Sequence, residues 1–311
     1  MYEGYLTDVE GIKVGHSQSI EGGTGVSVIV APKGNTASVD VRGGGPGTRE
    51  TDLLNPLNMV SEVNAIVLSG GSSYGLEASV GVVEGLEEDG LGFVVPDGIV
   101  PIVPQAILYD LGYKSYKIRP DKRMGKKAYE NAKINDRSQG IVGAGTGATV
   151  GKAMGNEFSM KSGLGQASIK VGNLFVSAIV AVNALGDIYD DEKNIQIAGI
   201  RKNNKFIPTI DVLGQMQANI KSLNTTIGLV ASNARLNKSE LKKVASMAHN
   251  GYARAIRPVH TMMDGDTIFS LATNKVKSDV NIVGSLSAKV MARAIANAIY
   301  ASNKENFGEF I

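Results

Sequence analysis

The 311-residue chain contains no cysteine, no tryptophan and only three histidines, His16, His249 and His260. Without cysteine there is no disulfide, thiolate zinc site, iron–sulfur cluster or cysteine nucleophile, and three histidines argue against a multi-histidine metal site. Charge of one sign is also missing: 32 Lys and Arg against 30 Asp and Glu leave +2, so no field draws the chain to nucleic acid or anionic lipid. No run of about 18 apolar residues occurs. The opening MYEGYLTDVEGIKVGH lacks a basic start followed by an apolar core. The expectation is a soluble cytoplasmic protein with neither membrane nor nucleic acid as partner. Any catalysis must come mainly from Ser, Thr, Lys, Asp, Glu, Asn or Tyr.

What is present is glycine. Its 38 copies make up about 12% of the chain against a usual share of roughly 7%, which suits turns and backbone close to ligands better than a helical bundle. With 43% hydrophobic residues the chain can bury a large core. Residues 23–44 hold two β-branched runs around Pro32 and Gly34-Asn35, a hairpin signal. The apolar 65–69 strand feeds a glycine-rich turn and an apolar-periodic helix, which predicts α/β layering. Residues 94–105 carry Pro96, Pro101 and Pro104 and exclude a central strand or helix interior. Eight basic residues among tyrosines at 113–133 read as a solvated face, with a helix over 122–133. A second hairpin is expected over 167–184, turning at Gly172-Asn173. The polar 187–223 stretch reads as a long surface loop with only a short helix at 210–220. A strand at 225–232, a helix at 238–255 begun by Asn237 or Ser239, a strand at 266–272 and an apolar-striped helix at 285–302 follow.

Three loops invite chemistry. Gly143-x-Gly145-x-x-Ala148 meets a loose dinucleotide pattern, but only residues 140–142 offer a preceding strand and no acidic residue follows at the required spacing; the phosphate-loop pattern fails at Thr146 and Ala153. Gly71-Ser72-Ser73-Tyr74-Gly75 is a G-x-S-x-G between strand and helix, the setting of a nucleophile elbow. A serine hydrolase using Ser73 with His249 or His260 is therefore one alternative, and tight turn packing is the plainer explanation. The third is Asn224-Thr225 at a strand start. A Thr hydroxyl there can attack its own preceding carbonyl, shift the acyl group from N to O and, after hydrolysis, leave Thr225 as a new N-terminus. Its α-amine, with an ordinary pKa of about 7.7 to 8.0, is a base attached to the nucleophile itself.

GIKVGH (11–16), DVRGGGPGTRETDLLNP (40–56), AIVLSGGSSYGLEA (65–78), VPIVPQAILYDL (100–111), VGAGTGATVGK (142–152), VAVNALGD (180–187), LNTTIGLVA (223–231) and RPVHTMMDGDTIFSLAT (257–273) occur in this order across nearly the whole chain. Together they resemble the L-aminopeptidase/D-esterase and β-peptidyl aminopeptidase family. The Asn-Thr junction and Asp-Gly-Asp are similar to its nylon-oligomer (6-aminohexanoate oligomer) endo-hydrolase branch and, more distantly, to pantetheine hydrolase. The resemblance implies a four-layer αββα sandwich like that of N-terminal-nucleophile hydrolases. It also implies a single domain over 1–311, self-cleaved into 1–224 and 225–311, fragments of roughly 23 and 9 kDa by proportion.

Carried over by motif, Thr225 is the nucleophile, Asn183 the oxyanion donor, Tyr109 and Lys152 polar groups lining the site, and Asp264 and Asp266 the carboxylates beside the nucleophile. Taken singly, Asp-Gly-Asp is often a turn, Lys152 a helix start, Asn183 a strand cap and Tyr109 a core tyrosine. The implied chemistry is hydrolysis of linear aliphatic or peptide-like amides, without metal or organic cofactor, by a homo-oligomer such as a tetramer of αβ units. The aminopeptidase branch carries Ser nucleophiles supported by Ser and Glu, where this chain has Thr225, Asp264 and Asp266. Aminopeptidase activity, a serine hydrolase and a non-enzymatic ligand-binding α/β protein remain as alternatives.

Overall fold

A computed structural model describes residues 1–215 and 224–304. Ten strands form two five-stranded sheets: β1 (Lys13–Ser19), β2 (Thr24–Val30), β3 (Thr36–Val41), β4 (Thr48–Arg49), β5 (Ala65–Ser69), β6 (Gln105–Ile107), β7 (Leu164–Val171), β8 (Leu174–Asn183), β9 (Thr225–Ala234) and β10 (Thr267–Val276). Their orders are β1-β2-β5-β6-β4 and β7-β8-β9-β10-β3. All ladders are antiparallel except β5 with β6 and β9 with β10. The longer helices are α1 (Ala78–Glu88), α2 (Lys122–Glu130), α3 (Thr209–Gln215), α4 (Lys238–Ala255) and α5 (Val280–Ser302).

The strand period of two explains the layers. Ile179 and Ala181 of β8, Ile227, Leu229 and Ala231 of β9, and Phe269 of β10 point inward to meet Ile29, Ile66 and Leu68 of the other sheet. Their neighbours Ala178, Val180, Val182, Val230 and Ile268 point outward onto Val244, Tyr252, Met291 and Ile295 of α4 and α5. On the opposite side Val26, Val28 and Val67 pack against Val82 and Leu86 of α1 and Ala128 of α2. Strands buried on both faces need apolar residues throughout, which is why β5 and β9 read as continuous apolar runs. The result is the four-layer αββα sandwich. Helix α5 is long and apolar enough by composition to cross a membrane, but 72% of its apolar window is buried inside the protein, so it is a core helix here.

Helix α4 begins as expected: Asn237 Oδ1 accepts from the Glu240 N–H (2.9 Å) while Glu240 accepts from the Asn237 N–H (2.8 Å). The 167–184 hairpin forms as β7 and β8, with Val171 opposite Leu174. Two expectations need correction. Residues 23–44 are no hairpin, because β2 and β3 lie in different sheets. The buried Asn35 side chain bonds both backbone groups of Val63, which carries the connection across the sandwich. The 187–223 stretch is not one loop: Asp187–Asp190 pairs with Ile195–Ala198 and Ile256–Arg257, Ile200–Lys202 pairs with Lys205–Ile207, and α3 follows. Two of its acidic residues are internal acceptors rather than surface charges: Asp190 receives the Tyr2 and Tyr300 hydroxyls, and Asp187 caps Thr209. The remainder of the expected 210–220 helix lies outside the described residues.

Gly165 on β7 lets α5 approach so closely that a Cβ there would lie 1.9 Å from the Ala294 carbonyl oxygen. Gly165→Ala is expected to destabilise the protein by about 1 to 3 kcal/mol through overpacking, read as a lower urea midpoint with unchanged slope.

Candidate active site

Strands β8 and β9 end in register, with Asn183 opposite Thr225. One residue earlier, Asn224 is held against the segment leading into β10: its N–H donates to the Met263 carbonyl (2.8 Å), and its own carbonyl accepts from the Gly265 N–H (3.0 Å). The peptide between Asn224 and Thr225 is therefore clamped at the start of a central apolar strand, and both residues are buried. The Thr225 hydroxyl donates to the carbonyl oxygen of Asn224. A hydroxyl lies against the carbonyl that precedes it, and a backbone N–H already polarises that carbonyl. An intramolecular acyl shift needs this hydroxyl oxygen to move from the carbonyl oxygen onto the adjacent carbonyl carbon, with the Gly265 N–H already placed to hold the oxyanion.

Gly43 and Gly44 of RGGGPG make room for this clamp. Gly45 N–H donates to the Asp264 carbonyl (2.8 Å) and Arg42 N–H to that of Asp266 (2.9 Å). A Cβ on Gly43 would lie 2.2 Å from the Asp264 carbonyl oxygen, and one on Gly265 would lie 2.9 Å from Thr225 Oγ1. Asp266 and Asp264 flank Gly265 and do different things. Asp266 Oδ1 accepts from the Thr226 N–H (2.8 Å), while its Oδ2 receives the N–H (3.1 Å) and Nδ1 (2.8 Å) of His260. Asp264 accepts from Thr261 N (3.1 Å) and Oγ1 (2.5 Å). Burial, reinforced by the charge of Asp266, raises the Asp264 carboxyl to about 6. Among the described residues neither carboxylate bonds the Thr225 hydroxyl.

Lys152 donates to Asn183 Oδ1 (2.7 Å) and to the Asn183 carbonyl (3.2 Å). Burial lowers it to about 7, against the attraction of Asp264 and Asp110. Asn183 also accepts from Thr149 N (3.1 Å) and donates to the Tyr109 carbonyl (2.8 Å), which leaves one amide hydrogen uncommitted among the described residues. Tyr109 thus reaches the site through its backbone; its half-buried phenol makes no hydrogen bond among the described residues.

Sequence reasoning missed three participants. Asp110, next to Tyr109, is buried and pushed up to about 6 by burial; it accepts from Thr24 Oγ1 and Gly71 N and anchors the turn that carries the Tyr109 carbonyl. The Gly265 N–H has no letter to announce it. The sequence offers His260 only as a partner for Ser73, whereas the fold joins it to Asp266, Nδ1 to Oδ2 at 2.8 Å. Ser73 is exposed in the 3-10 turn Ser72–Glu77 and bonds no histidine or carboxylate among the described residues. His260 is committed to Asp266, and His249 to the Asp40 carbonyl (3.1 Å). No elbow triad is assembled.

Residues 4–308 match peptidase family S58. The chain belongs to this family. It is 38% identical to an uncharacterized aminopeptidase of Mycobacterium leprae (strain TN), covering 96% of this chain and 90% of that protein. It is 34% identical to a 6-aminohexanoate-oligomer endohydrolase of Kocuria sp. (strain KY2), covering 86% and 75%. Among solved structures, the L-aminopeptidase D-Ala-esterase/amidase of Ochrobactrum anthropi, described as a variant of the Ntn hydrolase fold, superposes with a TM-score of 0.71. That likeness spans 96% of this chain and 86% of that one at 17% identity. As an S58 member the protein is a hydrolase of amide or peptide C–N bonds.

Lys152 carries a consequence for stability. Between about 7 and 10.5 the folded chain holds it neutral while the unfolded chain binds its proton, so stability rises with pH across that window. Lys161, lowered to about 7 mainly by burial, acts in the same direction. The urea midpoint is expected to be higher at about pH 9 than at about pH 7, and Lys152→Met to shrink that difference without abolishing it.

Proposed function

We propose that this S58 hydrolase is made as a precursor that cuts itself between Asn224 and Thr225, and that Thr225 then acts as an N-terminal nucleophile on linear aliphatic amides such as 6-aminohexanoate oligomers. The observation that carries the reading is the Thr225 hydroxyl lying against the Asn224 carbonyl while Gly265 N–H donates to the same oxygen.

In the self-cleavage, Thr225 Oγ1 attacks the Asn224 carbonyl carbon and gives up its proton, which ends on the Thr225 nitrogen that leaves. The oxyanion is held by Gly265 N–H, a kind of donor whose removal elsewhere costs about 2.7 to 4 kcal/mol of barrier. The C–N bond breaks, the Thr225 nitrogen takes a proton, and an ester joins Asn224 to the threonine oxygen. Water hydrolyses that ester into a carboxylate on Asn224 and a free hydroxyl beside a new α-amine. In turnover the amine takes the hydroxyl proton, Thr225 attacks the substrate carbonyl, and Asn183's uncommitted amide hydrogen meets the oxyanion. The amine product leaves with a proton, and water releases the acyl group.

The substrate class is supported by the Kocuria relative and by the combination of Thr225 with Asp264 and Asp266. The Mycobacterium leprae relative supports a second reading, an aminopeptidase at the same nucleophile. Assays of the purified protein on 6-aminohexanoate oligomers and on aminoacyl anilides separate the two: the expected result is release of shorter oligomers, and cleavage of the anilides alone transfers the function to aminopeptidase. Thr225→Ala is expected to lower the rate by at least about a thousandfold, while Ser73→Ala leaves it unchanged. Full activity in Thr225→Ala refutes both readings.

A further inference from the structure

Two of the three histidines meet behind the clamp. His260 lies between Asp266 and the α4 residues His249 and Tyr252, with ring centroids 4.8 Å from His249 and 6.1 Å from Tyr252. Its backbone has φ +59°, a left-handed conformation that costs a non-glycine residue energy and persists where its surroundings hold it. Its N–H and Nδ1 both converge on Asp266 Oδ2, and its Nε2 is buried without a hydrogen-bond partner.

A carboxylate oxygen accepts, so Nδ1 carries the hydrogen of this pair. Asp266 then receives three N–H donors: two on Oδ2 from His260 and one on Oδ1 from Thr226. A carboxylate has about four lone-pair sites, so one acceptor position is left, on the oxygen that already holds the residue next to Thr225. With Oδ2 locked by His260, the carboxylate cannot rotate, and Oδ1 stays on the peptide that joins Thr225 to Thr226. We infer that His260 is a positioning residue: through Asp266 it fixes the orientation of the Thr225 nucleophile and reserves one carboxylate lone pair for the α-ammonium or hydroxyl that self-cleavage exposes. This rests on the reading of Thr225 as the nucleophile.

The test compares His260→Ala with His260→Asn in the full-length protein. Asparagine places an amide N–H at the position of Nδ1 and tolerates positive φ. His260→Ala is expected to slow self-cleavage and to lower kcat by about tenfold to a hundredfold with KM within about twofold, the size of effect that follows misplacement of a reacting group. His260→Asn is expected to restore most of both. A kcat like that of the unsubstituted protein in His260→Ala, with only a lower melting temperature, overturns the inference, as does an asparagine variant as impaired as the alanine one. If His260→Ala does not fold, 15N NMR of the histidines in the unsubstituted protein decides: a hydrogen on Nδ1 of His260 at neutral pH is expected, and a hydrogen on Nε2 alone overturns it. Thr225→Ala measured in parallel keeps the two failures apart, because an active Thr225→Ala removes the nucleophile itself, whereas an inactive one beside an unaffected His260→Ala removes only the role of His260.

Discussion

The structure depends on one constrained peptide. The bond between Asn224 and Thr225 sits where β9 starts, held by Asn183 on one side and by the 263–265 backbone on the other. β9 is central in its sheet and buried on both faces, so its first residue has almost no freedom to move without disturbing the sandwich. Apolar packing on Ile227 and Leu229 thus becomes a positional force on a hydroxyl two residues away. The glycines at 43, 44 and 265 follow from the same demand, since the two backbones pass closer than a Cβ at any of the three would allow.

Electrostatics around the clamp work against the ordinary charge states. Lys152 and Lys161 are lowered to about 7, while Asp110 and Asp264 are raised to about 6, in each case chiefly by burial. Groups that exchange protons near neutral pH suit general acid and base work better than groups locked in one state. The cost is borne by the fold, which holds the buried Lys152 with Asn183 and its carbonyl, and ties Asn183 to the Tyr109 carbonyl while one amide hydrogen stays open.

Much of this was legible in the sequence. The strand at Thr225, the α4 helix with its Asn237 start, the 167–184 hairpin and the layered α/β order follow from periodicity and turn chemistry, and the ordered motifs pointed to the αββα sandwich and to the residues that the fold brings together. The failures have physical causes. Pairing between β2 and β3 was misjudged because local turn letters do not reveal that Asn35 is bonded to Val63, 28 residues away. Asp187 and Asp190 looked like surface charges because a buried carboxylate with hydroxyl and N–H donors has the same letter as a solvated one. Gly265 N–H is invisible for a simpler reason: every residue but proline has such a donor, and only the fold says which one meets the carbonyl.

The central claim is that the clamped peptide is the bond the protein cuts in itself. Intact-mass measurement of the purified, denatured protein tests it most directly. The account predicts two polypeptides, roughly 23 and 9 kDa, the smaller beginning with Thr225 and their masses together exceeding that of the precursor by one water. A single full-length chain that hydrolyses amides at full rate would contradict it.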